Sequence, residues 1–303
     1  MTNRSQHTDR SHRSGFVNII GNPNVGKSTL MNALVGENLS IITAKSQTTR
    51  HRILGIVSGN DFQIVYSDTP GIIKPAYRLQ SSMMKFVNTA IGDADIIIYV
   101  TDVIEKPDKN IEYIEKLNNI EIPIILIINK IDLTTQQILN DLAEQWQKLL
   151  PSALIYPASA LEKFNLDNIF SKVLELLPEG EAYYAKDELT DKNLRFFASE
   201  IIREKILLYY QKEIPYCVEA GIENFIEDKN MYSIEAVIYV ARESQKGIII
   251  GQGGKSLKRT GTAARKDMEK FFGKKVFLKL FVKVNPDWRD NEQQLKKFGY
   301  IDN

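Results

Sequence analysis

The stretch GNPNVGKST, residues 21–29, most constrains what this chain can fold into. It matches the pattern G-x-x-x-x-G-K-[ST] with Gly21, Gly26, Lys27 and Ser28 in register, between an apolar run (FVNII) and a helix-forming segment. A strand that turns sharply into a helix aims several backbone N–H groups at one point, where an anion is stabilised. The glycines let that turn close around a β-phosphate, Lys27 neutralises β- and γ-phosphate charge, and the Ser28 hydroxyl suits Mg²⁺. Asn22, Pro23, Asn24, Val25 and Thr29 complete the loop. Such a turn needs a parallel sheet behind it, with helices on both faces.

The first 180 or so residues supply one. Val/Ile-rich runs at 16–20, 52–57, 62–67, 94–100, 123–128 and 153–156 alternate with helix-period segments near 28–36, 78–91, 108–118, 135–149 and 165–177. The alternation predicts βαβ units and a mainly parallel sheet; the short SGND connection between the second and third runs predicts one antiparallel edge strand. A Pro/Gly/charged stretch around 177–193 reads as a linker. Beyond it, a long amphipathic helix (192–211), strands near 216–226 and 233–241, a short helix, the turn GQGG, a helix to 272 and the strand KVFLKLFVKV give the order α-β-β-α-α-β. The expected division is a disordered leader (1–14), a nucleotide-binding domain (15–178), a linker (179–191) and a smaller α+β domain with a C-terminal tail (192–303).

Composition narrows the function classes. The apolar runs ADIIIYV and IPIILII are strand-sized and too short to cross a bilayer, and the polar start of the sequence lacks the apolar core of a secretory signal. A single cysteine, Cys217, excludes an intramolecular disulfide, and three histidines without a cysteine pair argue against zinc. The net charge of +1 hides an asymmetry, because residues 242–283 hold 12 basic and 3 acidic side chains. A neutral protein with one basic patch points to a local polyanion.

Three motifs follow the phosphate loop. DTPG, 68–71, ends the third strand run: Asp68 would hold Mg²⁺ through water and the Gly71 N–H would sense a γ-phosphate, with Thr69, Pro70 and Ile72 alongside. Alone, Asp-x-Pro-Gly is ordinary turn chemistry; its place after the phosphate loop gives it meaning. In NKID, the Asp132 carboxylate can accept both donors of a guanine edge, while Asn129 reaches the O6/N7 edge and Lys130 packs along base and loop. Adenine would face that carboxylate with a lone pair, so discrimination can be large. In ASA, Ser159 shapes a loop that offers the Ala160 N–H to guanine O6. A γ-phosphate sensor needs a hydroxyl able to reach Mg²⁺ from the segment 40–52; Thr49 is the candidate, with Thr48 the alternative.

The basic half carries its own motif. Gly251, Gln252, Gly253 and Gly254 form a G-x-x-G turn between two helices, where backbone N–H groups can meet successive phosphates of a single strand. Ile248, Ile249 and Ile250 would floor a groove for unstacked bases, and Lys255, Lys258, Arg259, Arg265 and Lys266 follow, with 255, 258/259 and 266 near one helical face.

The ordered set GNPNVGKS, QTTRH, DTPG, NKID and SA resembles the translation-factor-like branch of small GTPases. With QTTRHRILGI, ASEIIREKIL and GTAARKDMEKFF added, residues 15–303 look like the Era family, bacterial GTPases with a C-terminal KH domain of the prokaryotic type. That resemblance implies a hydrophobic residue, Ile72, where related switches carry a glutamine. It implies K⁺ at Asn24 beside the phosphates, an attacking water held by backbone of residues 43–50, and slow GTP hydrolysis resting on Lys27, Thr49, Gly71 and Asn24. It further implies a monomer that binds single-stranded RNA near the 3′ end of 16S ribosomal RNA, assists small-subunit assembly in the cytoplasm, and associates peripherally with the inner membrane. Two other readings stay open on the residues alone: a GTP-dependent interaction or membrane-docking protein without RNA specificity, and a nucleotide-binding module that barely turns over.

Overall fold

The computed structural model describes residues 11–43, 45–107 and 109–301. The chain divides into two compact units: 1–37, 53–69 and 88–191 form the first, and 38–52, 70–87 and 192–303 the second.

The first unit is built on a six-stranded sheet in the order β2-β3-β1-β4-β5-β6. Its strands are β1 (Arg13–Gly21), β2 (Ile53–Ser58), β3 (Phe62–Asp68), β4 (Ile96–Asp102), β5 (Ile124–Asn129) and β6 (Leu154–Pro157). All neighbours are parallel except the β2–β3 hairpin. β4 and β5 are buried at every position, as central strands covered on both faces must be. Helices α1 (Lys27–Val35), α3 (Ile111–Asn118), α4 (Gln136–Leu149) and α5 (Leu166–Leu176) connect them, and α2 (Arg78–Gly92) runs across the division of the chain.

Two boundary expectations are corrected. Residues 1–10 of the expected leader lie outside the described residues, but Arg13 and Ser14 are already strand, in register with Phe62 and Gln63. The expected linker is no tether. Residues 179–191 belong to the first unit and lie along its β1–β3–β2 edge, with Arg13 bridged to Glu179 and Ile56 N–H bonded to the Leu189 carbonyl. The fully buried Gln63 explains the hold: its side chain accepts from the N–H groups of Tyr183 and Tyr184 and donates to the Tyr184 carbonyl. A buried amide left without these partners would cost about 1–3 kcal/mol.

The second unit carries a three-stranded sheet, β7 (Val218–Glu227), β8 (Met231–Val240) and β9 (Lys275–Val284), with β8 central, antiparallel to β7 and parallel to β9. Helices α6 (Leu194–Tyr209), α7 (Glu243–Ile250) and α8 (Lys255–Phe272) cover one face in the expected α-β-β-α-α-β order. The Asn193 side chain starts α6 by accepting from the Phe196 N–H. The C-terminal tail is ordered as well: α9 (Glu292–Lys297) and its flanks bury Trp288, Leu295 and Tyr300.

Within this unit residues 45–51 are fastened by buried charge. Arg50 is fully buried and donates to the Val218 and Pro215 carbonyls and to Glu219 at 3.2 Å. Arg203 on α6 pairs with Glu200 at 2.6 Å and donates to the Thr48 carbonyl, while Lys45 donates to the Leu207 and Tyr210 carbonyls. Burial alone would raise the Glu200 carboxyl, but Arg203 beside it prevails and holds it below the usual carboxylate range. His51 stacks on Tyr300 with ring centres 4.2 Å apart, and burial pushes its imidazole down to about 3, so it stays neutral.

No helix among the described residues is long and apolar enough to cross a membrane.

Candidate nucleotide site and nucleic-acid interface

The C-terminal ends of β1, β3, β4 and β5 bring the first unit's motifs together, where α/β sheets place their ligands. After β1 the chain turns through Asn24 and Gly26 in left-handed conformation (φ 66° and 97°) and enters α1 at Lys27. Only glycine fits at position 21, where φ is 146° and an added Cβ would stand 2.1 Å from the Val100 carbonyl oxygen on β4. Lys27 is buried and its ammonium caps the turn from within, donating to the carbonyls of Gly21 (3.0 Å) and Asn22 (2.7 Å). Burial lowers it to about 8, against the opposing pull of Asp68 and Glu105. The ammonium is held where incoming phosphate oxygens could replace weak carbonyl partners.

Ser28 donates its hydroxyl to Asp68 at 2.6 Å. Two hard oxygen donors side by side at the mouth of a phosphate loop fit Mg²⁺ in chemistry and number, since that ion takes few protein ligands and keeps water and phosphate for the rest. Thr69 is fully buried and gives its hydroxyl to the Ile19 carbonyl, so any phosphate contact from it falls to its backbone.

The base end shows a bracing role for Asn129. One N–H of its amide donates to the Val25 carbonyl at 2.8 Å and its oxygen accepts the Ala160 N–H at 2.9 Å, so it braces the phosphate loop against the 158–160 loop, and these two bonds leave the amide's second N–H for a base edge. The Ala160 N–H is thereby engaged inside the protein too. Asp132, in a turn at Ile131–Leu133, is exposed, and Ser159 donates to one carboxylate oxygen at 2.6 Å, fixing the group that would read a base. Lys130 reaches back to the Asn24 carbonyl and to Asp102, both at 2.6 Å, with its stem over the loop.

One participant escaped the sequence reading. Glu105, after β4, accepts from Asn22 at 2.8 Å and from Thr101 at 2.9 Å, and burial raises its carboxyl. It buttresses the phosphate loop from outside, beside Asn110, which bonds to Asn22. The available signal was weak: polar residues just past the end of a buried strand.

Thr49, Pro70, Gly71 and Ile72 belong to the second unit. Thr49 is buried between the anchored Thr48 and Arg50, and Ile72 is 3% exposed, with no polar group to hold water.

The second unit's G-x-x-G turn links α7 to α8, with Gly251, Gly253 and Gly254 at φ 70°, 58° and 77°. Gln252 and Gly253 are exposed at its tip. Ile248 is 49% exposed and Ile250 partly so, but Ile249 is fully buried in the core and drops out of the floor. Three consecutive helical residues cannot share one face. Lys255, Lys258, Arg259 and Lys266 line one groove with Tyr209, and the Arg259 guanidinium lies 4.2 Å from the Tyr209 ring. Arg265 lies apart from that groove, paired with Glu269 at 2.7 Å.

Comparison with known proteins agrees with both halves. Residues 16–130 match the model of a family described as a 50S ribosome-binding GTPase, and 213–289 match the KH domain. The chain is a P-loop GTPase with a C-terminal KH domain. It is 44% identical over 293 residues to the GTPase Era of Staphylococcus haemolyticus (96% of this chain, 98% of the relative), and equally to that of Alkaliphilus metalliredigens (96% and 99%). It therefore belongs to the Era family. Among solved structures it is similar to Era in complex with MgGDPNP and nucleotides 1506–1542 of 16S ribosomal RNA, with a TM-score of 0.91 and 38% identity over 95% of this chain and 99% of that one. An Aquifex aeolicus Era variant bound to GDP and AlF₄⁻ gives the same figures.

Proposed function

We propose that this GTPase is a switch that binds single-stranded small-subunit ribosomal RNA near its 3′ end and assists assembly of that subunit in the cytoplasm. The observation that carries the RNA half is the G-x-x-G turn itself: three left-handed glycines open α8, and the basic residues that follow line one groove. A solved relative crystallised with the 3′ part of 16S ribosomal RNA supports the choice of strand.

In the nucleotide half, Lys27 would exchange its carbonyl partners for β- and γ-phosphate oxygens, and Asp132, steadied by Ser159, would accept both guanine donors. Ser28 and Asp68 would hold Mg²⁺, which supplies positive charge at those phosphates. Ile72 gives no help with water, so alignment falls to backbone of residues 43–50, and Asn24 is the residue proposed for a stimulating K⁺. The intrinsic rate is accordingly slow. Thr49 itself lies between Arg203's hold on Thr48 and Arg50's hold on β7.

The test is filter binding of an RNA copying the 3′ end of 16S ribosomal RNA to wild type and Gly253→Asp. Nothing lies within 4 Å of a Cβ added at Gly253, and Asp adopts its left-handed φ of 58° at a cost of about 1 kcal/mol, so the variant keeps its fold while placing a carboxylate where phosphate should sit. A loss of tenfold or more is expected; undiminished binding removes the turn from the interface.

A further inference from the structure

The sheet of the second unit has a second face, away from α6, α7 and α8. On the edge strand β9, KVFLKLFVKV, the even-numbered residues pack toward the core and Lys275, Phe277, Lys279, Phe281 and Lys283 point outward. Phe277 and Phe281 are 46% and 50% exposed. They stand about 13 Å apart at the usual strand rise, with a lysine on each side of each ring. Lys279 lies 5.7 Å from the Phe277 ring and 2.9 Å from Glu235 on β8. Lysines on an edge strand guard against unwanted strand pairing, but that duty does not require two half-bare phenyl rings between them.

Alternating rings and ammonium groups match a single strand of nucleic acid, whose bases stack on aromatic faces while its phosphates meet cations. We infer that the outer face of β9 is a second RNA surface, on which Phe277 and Phe281 stack bases and Lys275, Lys279 and Lys283 hold backbone phosphate. Charge selects RNA over an apolar protein partner: among the described residues, the ion pair these three cations make on that face is that of Lys279 with Glu235. The path is short. α7 and α8, which carry the G-x-x-G turn, both pack over β9, so a strand leaving the turn has only to round that edge. The inference rests on the RNA-binding reading of this half and extends it to bases the G-x-x-G turn cannot reach.

The test uses the full chain and two RNAs: one of about six nucleotides, enough for a turn that clamps about four, and one of about 20 that adds a single-stranded extension. Phe277→Ala/Phe281→Ala should bind the short RNA like wild type and lose about tenfold or more on the long one, the usual effect of removing a stacking ring. Phe281→Trp should retain affinity and lose tryptophan fluorescence with the long RNA only. Equal affinity of the double variant for the long RNA overturns the inference, as does an equal loss on both RNAs. So does a change in the protein's own sedimentation without RNA, which would mean a second copy covers the stripe. If wild type binds neither RNA, the RNA-binding reading falls as well; if it binds both and the double variant is unaffected, only the stripe does.

Discussion

Two turns in this chain aim a helix N-terminus at phosphate, and they solve the problem from opposite sides. At the head of α1 the cation is inside: Lys27 is buried, lowered by that burial, and set among Asp68, Glu105 and loop carbonyls. At the head of α8 the cations are outside, with Lys255, Lys258, Arg259 and Lys266 exposed along a groove. Both turns depend on left-handed glycines. A site that must lower a chemical barrier needs its charge fixed and dry before the substrate arrives. A site that tracks a polymer needs charge that many sequences can approach, and water screening is an acceptable cost.

The largest effect should therefore come from one buried residue. Lys27→Ala is expected to reduce single-turnover GTP hydrolysis by about a thousandfold, in line with removal of a preorganised donor, while RNA affinity in the absence of nucleotide stays unchanged. A loss below tenfold would mean that the buried ammonium is structural only. The glycines test the same contrast in stability. At Gly21 an added methyl meets backbone, the Val100 carbonyl on a paired strand, so Gly21→Ala should cost about 3 kcal/mol or more in a denaturant titration. At Gly254 nothing lies within 4 Å of an added Cβ. Gly254→Ala should cost about 1–2 kcal/mol, chiefly for its left-handed φ. Equal costs would erase the distinction between a turn braced by a sheet and one standing free.

How legible this was in the sequence followed from how local each cause is. The mainly parallel sheet of the first unit and the α-β-β-α-α-β order of the second could be read because β4 and β5 are unbroken apolar runs and α8 repeats buried Thr260, Ala264 and Met268 every fourth residue. The phosphate loop, Asp132 and the G-x-x-G turn depend on a few adjacent residues and could be named from those alone. What failed had distant partners. Residues 179–191 have the composition of a linker, and only the buried Gln63, more than a hundred positions earlier, shows why they are held. Arg50 reads as a polar residue in a loop but is fully buried, because Glu219 and two carbonyls await it far along the chain. The bracing role of Asn129 was missed as well, because Val25 and Ala160 lie 104 and 31 positions away.

A smaller effect separates the two turns by pH. In the free protein Lys27 begins to lose its proton near 8, and bound phosphate, by favouring the charged form, raises that point. The bound state thus holds more protons above pH 8, and GTP affinity, flat below it, should fall by up to about tenfold per unit as pH rises. RNA affinity should show no such decline over the same range, because the cations lining its groove are exposed and none is buried like Lys27. Nucleotide titrations at pH 7, 8 and 9 decide it; a flat GTP profile would place the Lys27 proton beyond reach of the solvent.

The smallest expected effect lies in the exposed groove, and it reports how many cations act. Each phosphate contact contributes about 0.9 to the slope of log affinity against log salt on a duplex and about 0.7 on a single strand. Lys258→Ala should weaken RNA binding only a few-fold at moderate salt while lowering that slope by about 0.7, uniformly across RNA sequences. Arg259→Ala should lower it similarly and cost slightly more, because its guanidinium also stacks on Tyr209. Arg265→Ala should leave the slope alone, since that side chain is already paired with Glu269 away from the groove. If all three changed the slope equally, the basic residues of α8 would act as diffuse charge, and the groove between α6 and α8 would lose its standing as a track for the strand.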